Sequence, residues 1–188
     1  MKKQQLLLLF ALFSITWLSS CKKDPDPTSS GYYIKYNLDG KSYYNKSQVF
    51  QAGCNDSYEL GGWCNSEKNF YDAAGITIVF NNKITKSDVL TLAGKTFYFD
   101  GTSTGTLPIG GIIFKHNIGM SYVYSYSTTD HSYFVKINSV TFVENNGMFN
   151  IYKVTGTFKA KMEYDSSSPS VFKDATSGDF NMMWSSFN

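Results

Sequence analysis

Tyr152-Lys153-Val154-Thr155-Gly156-Thr157-Phe158-Lys159-Ala160-Lys161-Met162-Glu163-Tyr164 decides the fold class, because apolar or small residues fill every even position and Lys, Thr and Glu every odd one. Successive side chains of an extended chain point to opposite faces, so this pattern predicts one long strand with a buried face and a wet face. Directly upstream, Glu144-Asn145-Asn146-Gly147 holds Asn-Gly, a pair that tolerates the positive φ of a tight hairpin turn. Residues 132–143 before it are rich in aromatic and β-branched types, but their apolar parity moves from Val135/Ile137 to Val140/Phe142 around Asn138-Ser139. One extra residue there, a β-bulge, restores the facing and completes an antiparallel hairpin.

The same reading predicts strands over 32–37, 42–50, 76–80, 96–99, 111–115, 120–127 and 180–184, with Asp39-Gly40 as a second tight turn. Residues 86–93 read as a short helix ended by Gly94. Short strands separated by Gly and Asn turns, with no βαβ rhythm, predict an all-β domain over 32–188. The expected architecture is a single antiparallel β-sandwich, with a partly closed β-barrel as the alternative.

The N-terminus reads as an address. Met1-Lys2-Lys3 and the apolar run over 6–18 have the layout of a signal peptide over 1–20, too short to remain as a membrane span. Leu18-Ser19-Ser20-Cys21 resembles the lipobox of bacterial lipoproteins, which implies that Cys21 is lipidated and becomes the first residue after cleavage. Residues 21–31 are polar and Pro-containing, as expected of a flexible tether. Without residues 1–20 the chain keeps 168 residues and 15 lysines against 15 acidic side chains, and the mature domain is formally neutral. None of its basic residues is Arg, so the planar donor fork suited to phosphates and base edges is missing, which disfavours a nucleic-acid partner.

Candidate chemistry is sparse. Cys54 and Cys64 are an even pair once Cys21 is lipidated, and in an exported protein they are expected to form a disulfide closing a polar, Gly-rich loop over 55–63. One reading makes that loop a surface that presents Trp63 and Tyr58 to a ligand; the other makes it a stabilised connection. Gly101-Thr102-Ser103-Thr104-Gly105 fits G-x-S-x-G, but it leads toward another strand rather than a helix and reads as a Ser/Thr/Gly loop. His116 and His131, the second beside Asp130, read as surface or strand-end residues, and Asp56, Glu59, Glu67 and Asp72 as acidic residues of no particular pairing. No motif predicts a metal or a cofactor. Tyr122, Tyr124 and Tyr126 share one strand face opposite a mostly Ser face; that face is expected to point into the core, the alternative being an aromatic platform for sugar rings.

Four short motifs carry a family likeness: Asn37 to Tyr43 as N-x-x-G-K-x-Y, Leu92-Ala93-Gly94-Lys95-Thr96-Phe97, Val154-Thr155-Gly156-Thr157-Phe158, and Ala175-Thr176-Ser177-Gly178-Asp179-Phe180. On these the chain resembles the small uncharacterised β-rich envelope lipoproteins of Bacteroidota-type bacteria. The resemblance implies an outer-membrane, lipid-anchored location and a sandwich fold, and transfers no catalytic residue. The expected function is a non-enzymatic binding module for a glycan or an envelope protein. The alternatives are an accessory subunit of an outer-membrane assembly and, third, a hydrolase.

Overall fold

The computed structural model describes residues 31–47, 57–65, 73–118, 121–165 and 171–188. The chain divides into Met1–Gly31 and Tyr32–Asn188, and the fold below is that of the second unit. The expected signal peptide, Cys21 and the expected tether up to residue 30 lie outside the described residues.

The domain is all-β and antiparallel. Its strands are β1 (Tyr32–Leu38), β2 (Lys41–Ser47), β3 (Glu59–Asn65), β4 (Ala73–Phe80), β5 (Thr96–Tyr98), β6 (Ile109–Ile118), β7 (Ser121–Ser125), β8 (Phe134–Asn145), β9 (Phe149–Asp165) and β10 (Val171–Phe187), with one helix, α1 (Lys86–Leu90). They form one sheet in the order β2-β1-β10-β3-β4-β6-β7-β9-β8-β5. A further pairing of β9 with β10 joins two strands that are not neighbours in that order. β10, β3, β4, β6, β7 and β9 thus make a closed circuit of hydrogen-bonded neighbours, and the sheet rolls around one apolar core. Closure of the circuit leaves only β2 and the short β5 as edge strands.

The alternation that began the sequence reading holds along β9. Tyr152, Val154, Phe158, Ala160 and Met162 are buried, while Lys153 stays exposed. The register of β8 on β9 slips between Ile137 and Ser139, where the parity change required a bulge. Asn145 and Asn146 cap the turn that follows, their Oδ1 atoms accepting from the backbone N–H groups of Gly147 at 2.7 Å and Phe149 at 2.8 Å. Asp39 and Gly40 both have positive φ, 53° and 72°, and close the two-residue turn between β1 and β2. Positive φ at both central positions is the turn whose twist suits paired strands.

Two glycines let β9 and β10 approach closely. Phe158 lies opposite Gly178 and Phe180 opposite Gly156, so each ring crosses over the glycine of the partner strand. A Cβ on Gly156 would sit 2.2 Å from the carbonyl oxygen of Lys136 and 2.4 Å from Phe180, and one on Gly178 would sit 2.5 Å from Phe158. Neither contact is possible without moving backbone.

Three expectations are corrected. Residues 59–63 of the expected loop are not a surface loop but part of β3, which pairs with β4 along its whole length and with β10 at Gly61. A Cβ on Gly62 would lie 2.1 Å from the Met183 carbonyl oxygen, so Gly62 is demanded by strand packing rather than by loop flexibility. Val123 faces the core, whereas Tyr124 and Tyr126 are 47% and 42% exposed, so the tyrosine face points outward. His116 is buried on β6, and the Tyr36 hydroxyl hydrogen-bonds to its Nδ1.

Candidate functional site

The outward tyrosines belong to a longer row. The pairings Trp63↔Gly75, Gly75↔Lys115, Lys115↔Tyr124, Tyr124↔Glu163 and Glu163↔Phe172 connect β3, β4, β6, β7, β9 and β10 strand by strand, with a register irregularity between Val171 and Phe172 at the last step. The chain neighbours Cys64, Ala74, Phe114, His116, Val123 and Met162 are buried, so alternation puts the row from Trp63 to Glu163 on the outer face, and Phe172 joins it by its own exposure. At about 4.8 Å per strand the five steps make a path of about 24 Å that curves around the outside of the closed circuit, so its members form one surface only where they touch.

Gly75 is what admits Trp63 to this row. A Cβ there would lie 2.6 Å from Cδ2 and 2.8 Å from Cε3 of the indole, so the ring lies across the bare backbone of β4. This explains why Trp63 is half-buried although it faces outward. The ring reaches Lys115, whose Nζ stands 5.2 Å from the Trp63 ring centre and 5.3 Å from that of Tyr124. A cation held between two π faces is fixed in place, and both rings keep a defined orientation.

The second half of the row repeats the device. Tyr126 and Phe172 meet edge to face with centroids 4.8 Å apart, and Lys161 Nζ lies 4.7 Å from the Phe172 ring. Phe172 is 37% exposed. Tyr126 is held to β9 beyond the last residue of β7 by its backbone N–H, which donates to the Lys161 carbonyl at 2.7 Å. Next to this pair, Tyr133 donates to Asp174 at 2.9 Å and carries Lys159 4.6 Å from its ring centre. Burial, together with the hydrogen bond to Asp174, pushes the Tyr133 hydroxyl up to about 12, so it stays a neutral donor. The result is a curved outer face of aromatic rings interleaved with lysines.

The structure separates the two aromatic residues that the sequence put in one loop. Tyr58, 43% exposed, precedes β3, while Trp63 lies five residues further along that strand, about 17 Å away at 3.4 Å per residue. Only Trp63 joins the row. Tyr124, Tyr126 and Phe172 supply the rest; the tyrosines were legible as a face but with the wrong side inward, and Phe172 carried no signal in the sequence. The side chain of Tyr122 lies outside the described residues.

Other expected positions resolve as follows. Cys64 is a free thiol, fully buried on the inner side of β3, and burial pushes it up to about 12. Among the described residues there is no disulfide, and Cys54, the expected partner, lies outside them, as do Asp56, Glu67 and Asp72. Glu59 is half-buried at the start of β3. The Gly101–Gly105 stretch turns back so that Ser103 bridges Phe97, and the chain runs on into β6 without a helix. His131 is exposed and pairs not with its sequence neighbour Asp130 but with Asp100, its Nε2 donating to Oδ2 at 2.9 Å while its ring stacks on Tyr98 at 4.1 Å. No group of three His, Cys, Asp or Glu side chains with metal-binding geometry occurs among the described residues.

The chain matches no family model, no curated protein and no solved structure.

Proposed function

We propose that the domain is a non-enzymatic binding module that holds a neutral glycan on its outer aromatic face, and that the protein is lipid-anchored through Cys21 at the outer membrane of a bacterial envelope. The observation that carries the binding proposal is Trp63 laid across Gly75 and continued by Lys115, Tyr124, Tyr126 and Phe172. Sugar rings present flat C–H faces that rest on aromatic rings, and Tyr, Trp and Lys add donors for the hydroxyls. The touching groups Trp63–Lys115–Tyr124 and Tyr126–Phe172 make an open surface rather than a deep cleft, which suits a few units of a chain. Formal neutrality of the mature domain and the lack of Arg favour an uncharged polymer over a polyanion. The anchoring proposal rests on the lipobox Leu18-Ser19-Ser20-Cys21 and the polar tether.

The test is binding of the full-length protein to a panel of neutral polysaccharides, followed by the Tyr124→Ala and Trp63→Ala variants. Each ring contributes about 0.5–1.5 kcal/mol beyond its area. The double variant is therefore expected to bind about five- to a hundredfold more weakly, with an unchanged circular dichroism spectrum. Equal binding by both proteins removes the platform. Turnover of a polysaccharide that depends on an acidic side chain replaces the binding reading with an enzyme. For the anchor, detergent phase partitioning is expected to move wild type but not Cys21→Ala into the detergent phase.

A further inference from the structure

At the far end of β9 from Glu163 the surface holds a depression of about 390 Å³, lined by Lys83, Thr85, Lys86, Phe142, Asn145, Asn150, Phe187 and Asn188 with Ile84. Asn150 and Glu163 are thirteen residues apart on one strand, about 44 Å at 3.4 Å per residue, so this pocket is independent of the outer aromatic row. We infer that it is a binding site for a small hydroxylated organic acid, of the class of a monomeric uronic acid.

Charge gives the first half of the argument. Lys83 and Lys86 bring two ammonium groups to the rim, and no acidic side chain is among the lining residues. Asp88 on α1 is turned to Thr85, accepting from its backbone N–H at 2.8 Å and its hydroxyl at 2.7 Å. Lys86 is positioned by Phe142, with Nζ 3.1 Å from the ring centre, so its charge is held at the pocket rather than swinging in water. The two ammonium groups favour an anion over a cation at this rim.

The carboxamides give the second half. Asn150 is only 7% exposed, its Oδ1 accepts from Asn145 Nδ2 at 3.0 Å, and its Nδ2 donates to Asn188 Oδ1 at 3.5 Å. Each carboxamide has two N–H donors, and these bonds engage one on each of Asn145 and Asn150. The amide chain is thus fixed in orientation while keeping donors for ligand hydroxyls. Phe142 and Phe187 add apolar walls, which a bare inorganic ion cannot use and the C–H face of a sugar can. The volume lies near the lower end, about 300 Å³, of small-molecule sites, which fits one or two sugar units rather than a polymer.

The experiment is titration of the full-length protein with D-glucuronate, D-glucose, acetate and inorganic phosphate, by calorimetry and by NMR of the side-chain amides. Glucuronate is expected to saturate the site and shift the Asn145 and Asn150 amide signals, with binding at least tenfold weaker in Lys83→Gln/Lys86→Gln and weakened by added salt. Both lysines are exposed, and the double variant should keep the wild-type melting temperature; Lys83→Glu alone is a second variant for the same loss. Binding of glucuronate that is unchanged in these variants overturns the assignment, as does binding that shifts signals elsewhere. Equal affinity for glucose overturns the role of charge, and equal affinity for acetate or phosphate overturns the sugar. Trp63→Ala/Tyr124→Ala is expected to leave glucuronate binding intact, so failure of the outer platform and failure of this pocket are separately visible.

Discussion

Asp100 shows how a local hydrogen-bond set fixes a charge that sequence neighbours do not reveal. Its Oδ1 accepts from the Thr102 hydroxyl at 2.6 Å and the Thr102 backbone N–H at 2.9 Å, and Oδ2 accepts from His131. These bonds, the Thr102 hydroxyl first, lower its pKa from 3.8 to about 2. A carboxyl whose folded pKa lies below its unfolded value adds stability that is present above about pH 4 and lost as pH falls through about 2. The carboxyl carbon of Asp100 is therefore expected to titrate by NMR with a midpoint near 2, and Thr102→Ala to move that midpoint up toward 3.8. A wild-type midpoint at 3.8 would refute the bonding. Asp130, the sequence neighbour of His131, is instead occupied by the backbone N–H of Ser132 at 2.9 Å, so adjacency in the chain does not make a pair, as the sequence reading expected.

At the scale of elements, the β9–β10 ribbon depends on reciprocal ring-over-glycine packing. Gly156→Ala places a methyl 2.2 Å from the Lys136 carbonyl and 2.4 Å from Phe180, so β8 and β10 must both move. Overpacking of this kind costs about 1–3 kcal/mol, and a lower denaturant midpoint for Gly156→Ala at an unchanged m-value is the expected result. Gly147→Ala, with nothing within 4 Å of the added methyl but a φ of 93°, should act only through backbone strain at the turn. The same contrast decides what was legible in the sequence. β9 could be read because its apolar residues alternate without interruption, and the β8 bulge because parity shifted by one. β3 could not, since Gly61-Gly62 erases the alternation and resembles a loop, although Gly62 is there to admit the Met183 backbone. The first half of β10 was hidden by Ser177-Gly178, where φ is 53° at Ser177 and the register slips against both β1 and β9. The tyrosine face of β7 was misassigned because Ser125 looks like a solvent residue; its Oγ accepts from the Phe114 backbone N–H at 2.9 Å, which ties it to β6. Aromatic content favours the core in general, but a row that supports its own lysines is stable on the outside.

At the scale of the molecule, the last strand holds the domain together. β10 pairs with β1, β3 and β9, and the pairing of Tyr33 with Asn181 joins the two ends of the domain's sequence. β10 also buries Phe180, Met182, Met183 and Trp184. At about 1.5–3 kcal/mol per large apolar side chain these four contribute roughly 6–12 kcal/mol, comparable with the whole stability of a domain, about 5–15 kcal/mol. Without β10, β1 and β2 lose their link to the sheet, β3 keeps β4 alone, and the circuit through β9 cannot close. A chain ending at residue 170 is therefore expected to be unfolded, with collapsed amide dispersion in NMR spectra and no cooperative melting, rather than a smaller native domain. Because closure joins segments so distant in sequence, refolding of the intact protein should take milliseconds to seconds, in the range of β-rich chains of high contact order. A residue 1–170 chain that melts cooperatively with dispersed β-sheet signals would show that the core is complete without β10, and would sink this account of the fold.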